Sequence, residues 1–102
     1  MENSVATTVS INLDKERHMR LTLGGMKKFQ EVTGKSLLKG FTLENMGEAE
    51  LTAFIWACLV WEDKTLSLDD LGYMLDFSRL NEIAEKLTKA MNFGEKGVSP
   101  NV

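Results

Sequence analysis

The sequence predicts an α+β domain in which an N-terminal β-hairpin packs against a small bundle of four to five helices. Three observations carry this. Near the N-terminus apolar and polar residues alternate, the period-2 signature of a half-buried strand. From Met26 onward the apolar residues recur at spacings of three and four, the period of an amphipathic helix. Residues suited to helix ends, Gly34 and Ser67 among them, stand at the joints between those runs. The 102 residues, 43% hydrophobic and 26% charged, have ordinary globular composition and a length suited to one domain.

Taken in order, residues 1–8 carry no strong pattern and are expected to be a flexible N-terminus; residues 9–93 form the domain. Val9, Ile11 and Leu13 alternate with Ser10 and Asn12. Asp14-Lys15-Glu16-Arg17 is a polar break, after which Met19, Leu21 and Leu23 resume the alternation, so the second strand is expected there. Gly24-Gly25 is expected to end that strand and turn the chain into a helix with Met26, Phe29 and Val32 on one stripe. Gly34 is placed to cap it in the left-handed conformation. In the short turn over residues 36–41, Leu37, Leu38 and Phe41 are expected to plug the core.

A long helix is predicted over residues 47–61. Leu51, Phe54, Ile55, Cys58, Leu59 and Trp61 fall within an arc of about 160° at the helical period. The opposite side is also apolar, with Ala53, Trp56, Ala57 and Val60. A helix apolar nearly all round is either central to its domain or covered on its second face by a partner. Ser67 then reads as an N-cap with Asp69 and Asp70 in the first helical turn, where the dipole favours acids, and Leu68, Leu71, Met74 and Leu75 on the buried side. Ser78 is expected to cap a last helix with the stripe Leu80, Ile83, Ala84, Leu87 and Met91. Glu82–Lys86 and Glu85–Lys89 are spaced as ion pairs on its wet side. Residues 94–102 hold two Gly and one Pro and are expected to be a disordered tail.

Composition excludes more function than it suggests. The single Cys58 cannot form an intramolecular disulfide and fits a reducing cytoplasm. No apolar run approaches the roughly 18 residues needed to cross a bilayer, and no basic-then-apolar leader opens the chain. The net charge of −3 weighs against nucleic acid as the main partner. That charge is unevenly placed. Residues 14–39 hold seven bases and three acids, a net +4, and residues 44–76 hold eight acids and one base, a net −7. Such a split can steer a charged partner or order self-association, or it can be the solvated faces of one small domain.

No constellation for chemistry stands out. His18 is the only histidine, so it reads as an exposed strand residue, and Cys58 on the core face of its helix reads as inert packing. Gly24-Gly25 lacks either phosphate-loop pattern. Asp63, Thr65, Ser67 and Asp69 alternate like the start of a calcium loop, but the loop glycine is missing and Met74 stands where its closing Glu belongs. A DNA-reading helix at residue 68 would present Asp69, Asp70 and Asp76 to phosphates. The chain reads as a non-enzyme with no metal or cofactor. The candidate partner-binding residues are Ala53, Trp56, Val60, Trp61, Asp69 and Asp70. If Trp56 lies on an open face, Trp56→Ala weakens binding with little loss of stability; if it lies in the core, the melting temperature falls.

Three segments together carry a family resemblance: Leu23-Gly24-Gly25-Met26-Lys27-Lys28-Phe29-Gln30-Glu31-Val32-Thr33-Gly34-Lys35-Ser36-Leu37, Phe54-Ile55-Trp56-Ala57-Cys58-Leu59-Val60-Trp61-Glu62-Asp63, and Thr65-Leu66-Ser67-Leu68-Asp69-Asp70-Leu71-Gly72-Tyr73-Met74-Leu75-Asp76. In order and spacing they resemble the phage tail assembly chaperones, over about residues 10–76. Trp61 stands where that family often has His or another polar residue. The resemblance implies a protein of the bacterial host cytoplasm that binds the tape measure protein, keeps its long hydrophobic helices from aggregating and helps recruit tail tube subunits. The alternative is a structural head–tail or tail-completion component retained in the virion. Self-association is a further expectation. The family also implies a longer, frameshifted form; Glu95-Lys96-Gly97 and Leu38-Lys39-Gly40 could each be encoded by a slip-permitting heptamer.

Overall fold

The computed structural model describes residues 8–39 and 46–98, and side chains as far as Ala90. The expectations for residues 1–7, for Phe41, for the Met91 side chain and for residues 99–102 lie outside this. Strands β1 (Val9–Asn12) and β2 (Glu16–Met19) form an antiparallel hairpin in which Val9 faces Met19 and Ile11 faces Arg17. The second strand starts three residues earlier than the alternation predicts. The cause is Arg17, which sits on the core face opposite Ile11 with only 5% of its surface exposed. A pattern that counts arginine as polar reads this strand as a break, although its long apolar stem suits a core-facing position.

The chain then enters helix α1 (Leu23–Thr33) without a glycine turn. The Thr22 hydroxyl oxygen accepts from the Gly25 N–H at 2.9 Å and caps the helix, so Gly24 and Gly25 lie inside its first turn. A Cβ on Gly25 would lie 2.2 Å from the Ala57 carbonyl oxygen. The glycine thus serves helix–helix contact. At the other end Gly34 takes φ 78° and its N–H donates to the Gln30 carbonyl, the left-handed cap expected there. Phe29 is buried edge-to-face on Phe54, at a centroid distance of 5.9 Å. Val32, expected on the same stripe, is exposed, as is Leu38; Leu37 packs against the core.

Helix α2 (Glu48–Leu59) is the centre of the domain, packed against α1, β2 and helix α3 (Leu68–Met74). Phe54, Ile55, Ala57, Cys58 and Leu59 are buried on successive sides of it, while Leu51 and Trp61 of the expected core face are only half-buried. Ser67 caps α3 by accepting from the Asp70 N–H, and Leu71 is the residue α3 buries completely. A 3-10 turn (Phe77–Arg79) leads into helix α4 (Leu80–Val98). The 3-10 turn is capped by Asp76, which accepts from the Ser78 amide and hydroxyl; Ser78, the expected cap of the last helix, is the donor. Ile83, Leu87 and Ala90 are buried, Ala84 is half-buried and Leu80 is largely exposed. Glu82 pairs with Arg79, and Lys86 reaches across to the Ser10 carbonyl at 2.8 Å. Arg79 of the 3-10 turn donates to the Asn12 carbonyl, so the turn and α4 together tie down β1. The helix continues past Gly94 to Val98, beyond the point where the expected disordered tail begins.

Among the described residues this is one two-stranded hairpin followed by four α-helices, an α+β fold. No helix among them is long and apolar enough to cross a membrane.

Candidate functional site

The second face of α2 is not open. Ala53 is 1% exposed and Val60 6% exposed, so neither offers the broad accessible face on which they were grouped as partner-binding residues. The contact with α1 explains this. Gly25 brings the first turn of α1 against the Ala57 backbone, closer than any larger residue permits.

Trp56 and Trp61 are half-buried, and each has its ring nitrogen committed inward. Trp56 Nε1–H donates to the Leu66 carbonyl at 2.9 Å, which ties α2 to the loop before α3. Trp61 Nε1–H donates to the His18 carbonyl at 3.0 Å, and the Arg20 guanidinium lies 5.5 Å from its ring centroid. Because Trp56 also packs against the core, its replacement by Ala must cost stability, contrary to the open-face expectation. The rings of Trp56 and Trp61 meet Val60, Lys28, Lys64 and the Gly24-Gly25 turn around a cleft of about 440 Å³. The fold thus brings together three of the six predicted residues.

Of the other three, Ala53 is buried, and Asp69 and Asp70 lie elsewhere. Asp69 and Asp70 are exposed in the first turn of α3, and Asp69 borders a second, more open hollow with Ala49, Thr52, Leu68, Gly72 and Tyr73. Tyr73 (88% exposed) shares that hollow with Asp69, and Phe77 (84% exposed) follows α3 in the 3-10 turn. Neither was among the candidates, although their signal is in the sequence. Tyr73 falls off the Leu68, Leu71, Met74, Leu75 stripe, so a helix burying that stripe has to leave it outside; Phe77 lies beyond the end of that helix.

The loop after α2 clasps the hairpin through charge. The Arg17 Nε and Nη2 donate to the two Asp14 carboxylate oxygens at 2.8 and 2.9 Å, and its Nη1 donates to Asp63 at 3.1 Å. Hydrogen bonding from Thr65, with that from Arg17, lowers the Asp63 carboxyl to about 2. Arg17 likewise holds Asp14 below its usual range, and those bonds raise Arg17 itself. Next to this, Glu62 accepts from the His18 amide at 3.0 Å and contacts its Nδ1 at 2.7 Å. Burial pushes the Glu62 carboxyl up, but the His18 amide and ring outweigh it and hold it low. His18 therefore has a carboxylate partner 44 positions away, which sequence neighbourhood could not reveal. Burial pushes the Cys58 thiol up to about 12, so it stays protonated and unreactive at neutral pH. Among the described residues no three His, Cys, Asp or Glu side chains gather where they could hold a metal ion.

Comparison with protein-family models, with curated proteins and with solved structures finds no match to this chain.

Proposed function

We propose that this domain is a non-catalytic tail assembly chaperone of a phage or prophage, acting in the bacterial cytoplasm by binding the tape measure protein, with tail tube subunits as a second partner. The observation that carries the reading is the exposure of Tyr73, which shares a hollow with Asp69, and of Phe77, which directly follows Asp76. Two large aromatic side chains left in water at a highly charged edge suit reversible contact with another protein. The positions of the family-like segments add support. Thr33-Gly34 is the end of α1, Glu62-Asp63 is the clasp on the hairpin, and Ser67–Gly72 opens α3.

Co-expression with a tape measure protein tests this. A complex that co-purifies, with more tape measure protein in the soluble fraction, is expected. Unchanged solubility and no complex would overturn it, and finding the chain in purified virions would favour a structural component of the particle.

A further inference from the structure

We propose that the cleft between the first turn of α1 and the carboxyl end of α2 is a docking groove for an acidic amphipathic helix of a partner protein. The inference rests on reading the domain as a protein-binding one, and it names the chemistry of what binds.

The floor is apolar by construction. Both tryptophan N–H groups are spent on backbone carbonyls inside the domain, so the rings offer the cleft hydrocarbon surface. The Leu66 and His18 carbonyls, together with Arg20 over Trp61, fix both rings in place, and a prearranged surface loses little freedom on binding. Gly24 adds no side chain to the wall, and a Cβ there would meet only the Thr22 hydroxyl at 3.8 Å. At about 440 Å³ the cleft falls in the range of roughly 300–1,000 Å³ typical of hollows that hold a ligand.

The rim is cationic. Lys28 and Lys64 border the cleft, both are exposed, and neither makes an ion pair among the described residues. Three other cations are paired within the domain: Arg17 with Asp14 and Asp63, Lys35 with Glu50, Arg79 with Glu82. In a chain of net charge −3, two free lysines over an aromatic floor select a segment that puts a bulky apolar side chain between carboxylates. A basic helix with the same apolar face would meet like charge on both sides.

The chain has two tryptophans and both line the groove, so their fluorescence reads its occupancy. The probes are a tryptophan-free peptide with Leu at helical spacing and Glu elsewhere, and its twin with Lys for Glu. The Glu peptide is expected to shift the emission to the blue with an affinity that falls as salt rises, and the Lys peptide to leave it unchanged. The exposed double variant Lys28→Glu/Lys64→Glu, shown folded by circular dichroism, is expected to bind the Glu peptide at least about tenfold more weakly. No response to the Glu peptide, equal response to both peptides, or unchanged affinity in the variant would overturn the proposal. So would an emission shift that grows with protein concentration alone and vanishes in Tyr73→Ala, which assigns the groove to a second copy. The two readings separate cleanly. A tape measure complex unaffected by the double variant sinks the groove and leaves the chaperone; a bound Glu peptide with no tape measure complex does the reverse.

Discussion

At the scale of single residues, one close approach, one charge cluster and one buried thiol set the tolerances of the molecule. Gly25 meets the Ala57 carbonyl with no room for a methyl group, because the obstacle is backbone and cannot rotate away. Gly25→Ala is expected to force α1 from α2 and cost about 1–3 kcal/mol by chemical denaturation. Gly24→Ala, one residue earlier and open, is expected to be neutral or stabilising by up to about 1 kcal/mol. Equal effects at the two positions would contradict the helix contact. The Arg17 clasp predicts a pH dependence. Asp63 has its folded-state pKa lowered from 3.8 to about 2, so its contribution is complete above the higher value and is lost as pH falls through the lower. In acid titrations followed by circular dichroism, Asp63→Asn is expected to flatten the loss of stability between about pH 4 and pH 2. Cys58, buried with a thiol near 12, is expected to resist thiol reagents in the native state and to react at once in denaturant.

At the scale of elements, what the sequence discloses depends on whether period or context sets the structure. The left-handed cap at Gly34, the Ser67 cap and the Leu71-centred face of α3 are legible because they depend on chain-local chemistry. The start of β2 is not, since Arg17 becomes a core residue only when Asp14 and Asp63 converge on its guanidinium. Gly24-Gly25 looks the same whether it breaks a strand or lets two helices touch, and only the position of Ala57 decides. The two apolar faces of α2 pose the same problem. Burial of Ala53 and Val60 comes from α2 standing at the centre of the domain, a fact of topology that periodicity does not encode. Trp56 is the informative position on that helix. Losing only the bond to Leu66, Trp56→Phe is expected to cost about 1 kcal/mol, measured by urea denaturation. Trp56→Ala, which also empties a half-buried site, is expected to cost about 2–3 kcal/mol by the same measurement. An Ala variant as stable as the parent would return Trp56 to an open face.

At the scale of the whole molecule, the uneven charge has two uses. Part of it holds the two halves together, since Arg17, His18 and Lys35 from the N-terminal half meet Asp63, Glu62 and Glu50 from the acidic half. Charges outside those contacts include Lys28 and Lys64 around the tryptophan cleft and Asp69 and Asp70 beside Tyr73. Of the candidate site, the sequence made Trp56, Val60 and Trp61 visible through their apolar character. Lys28 stayed hidden because it reaches the cleft from a different helix, 28 residues before Trp56. On the proposed reading, the domain holds a client by surface contact alone. Dilution of denatured tape measure protein into buffer, followed by light scattering, tests that most directly. Added in stoichiometric amounts, without nucleotide, this chain is expected to suppress the scattering and remain in a soluble complex with the tape measure protein. Scattering that rises as fast as without it would contradict the claim.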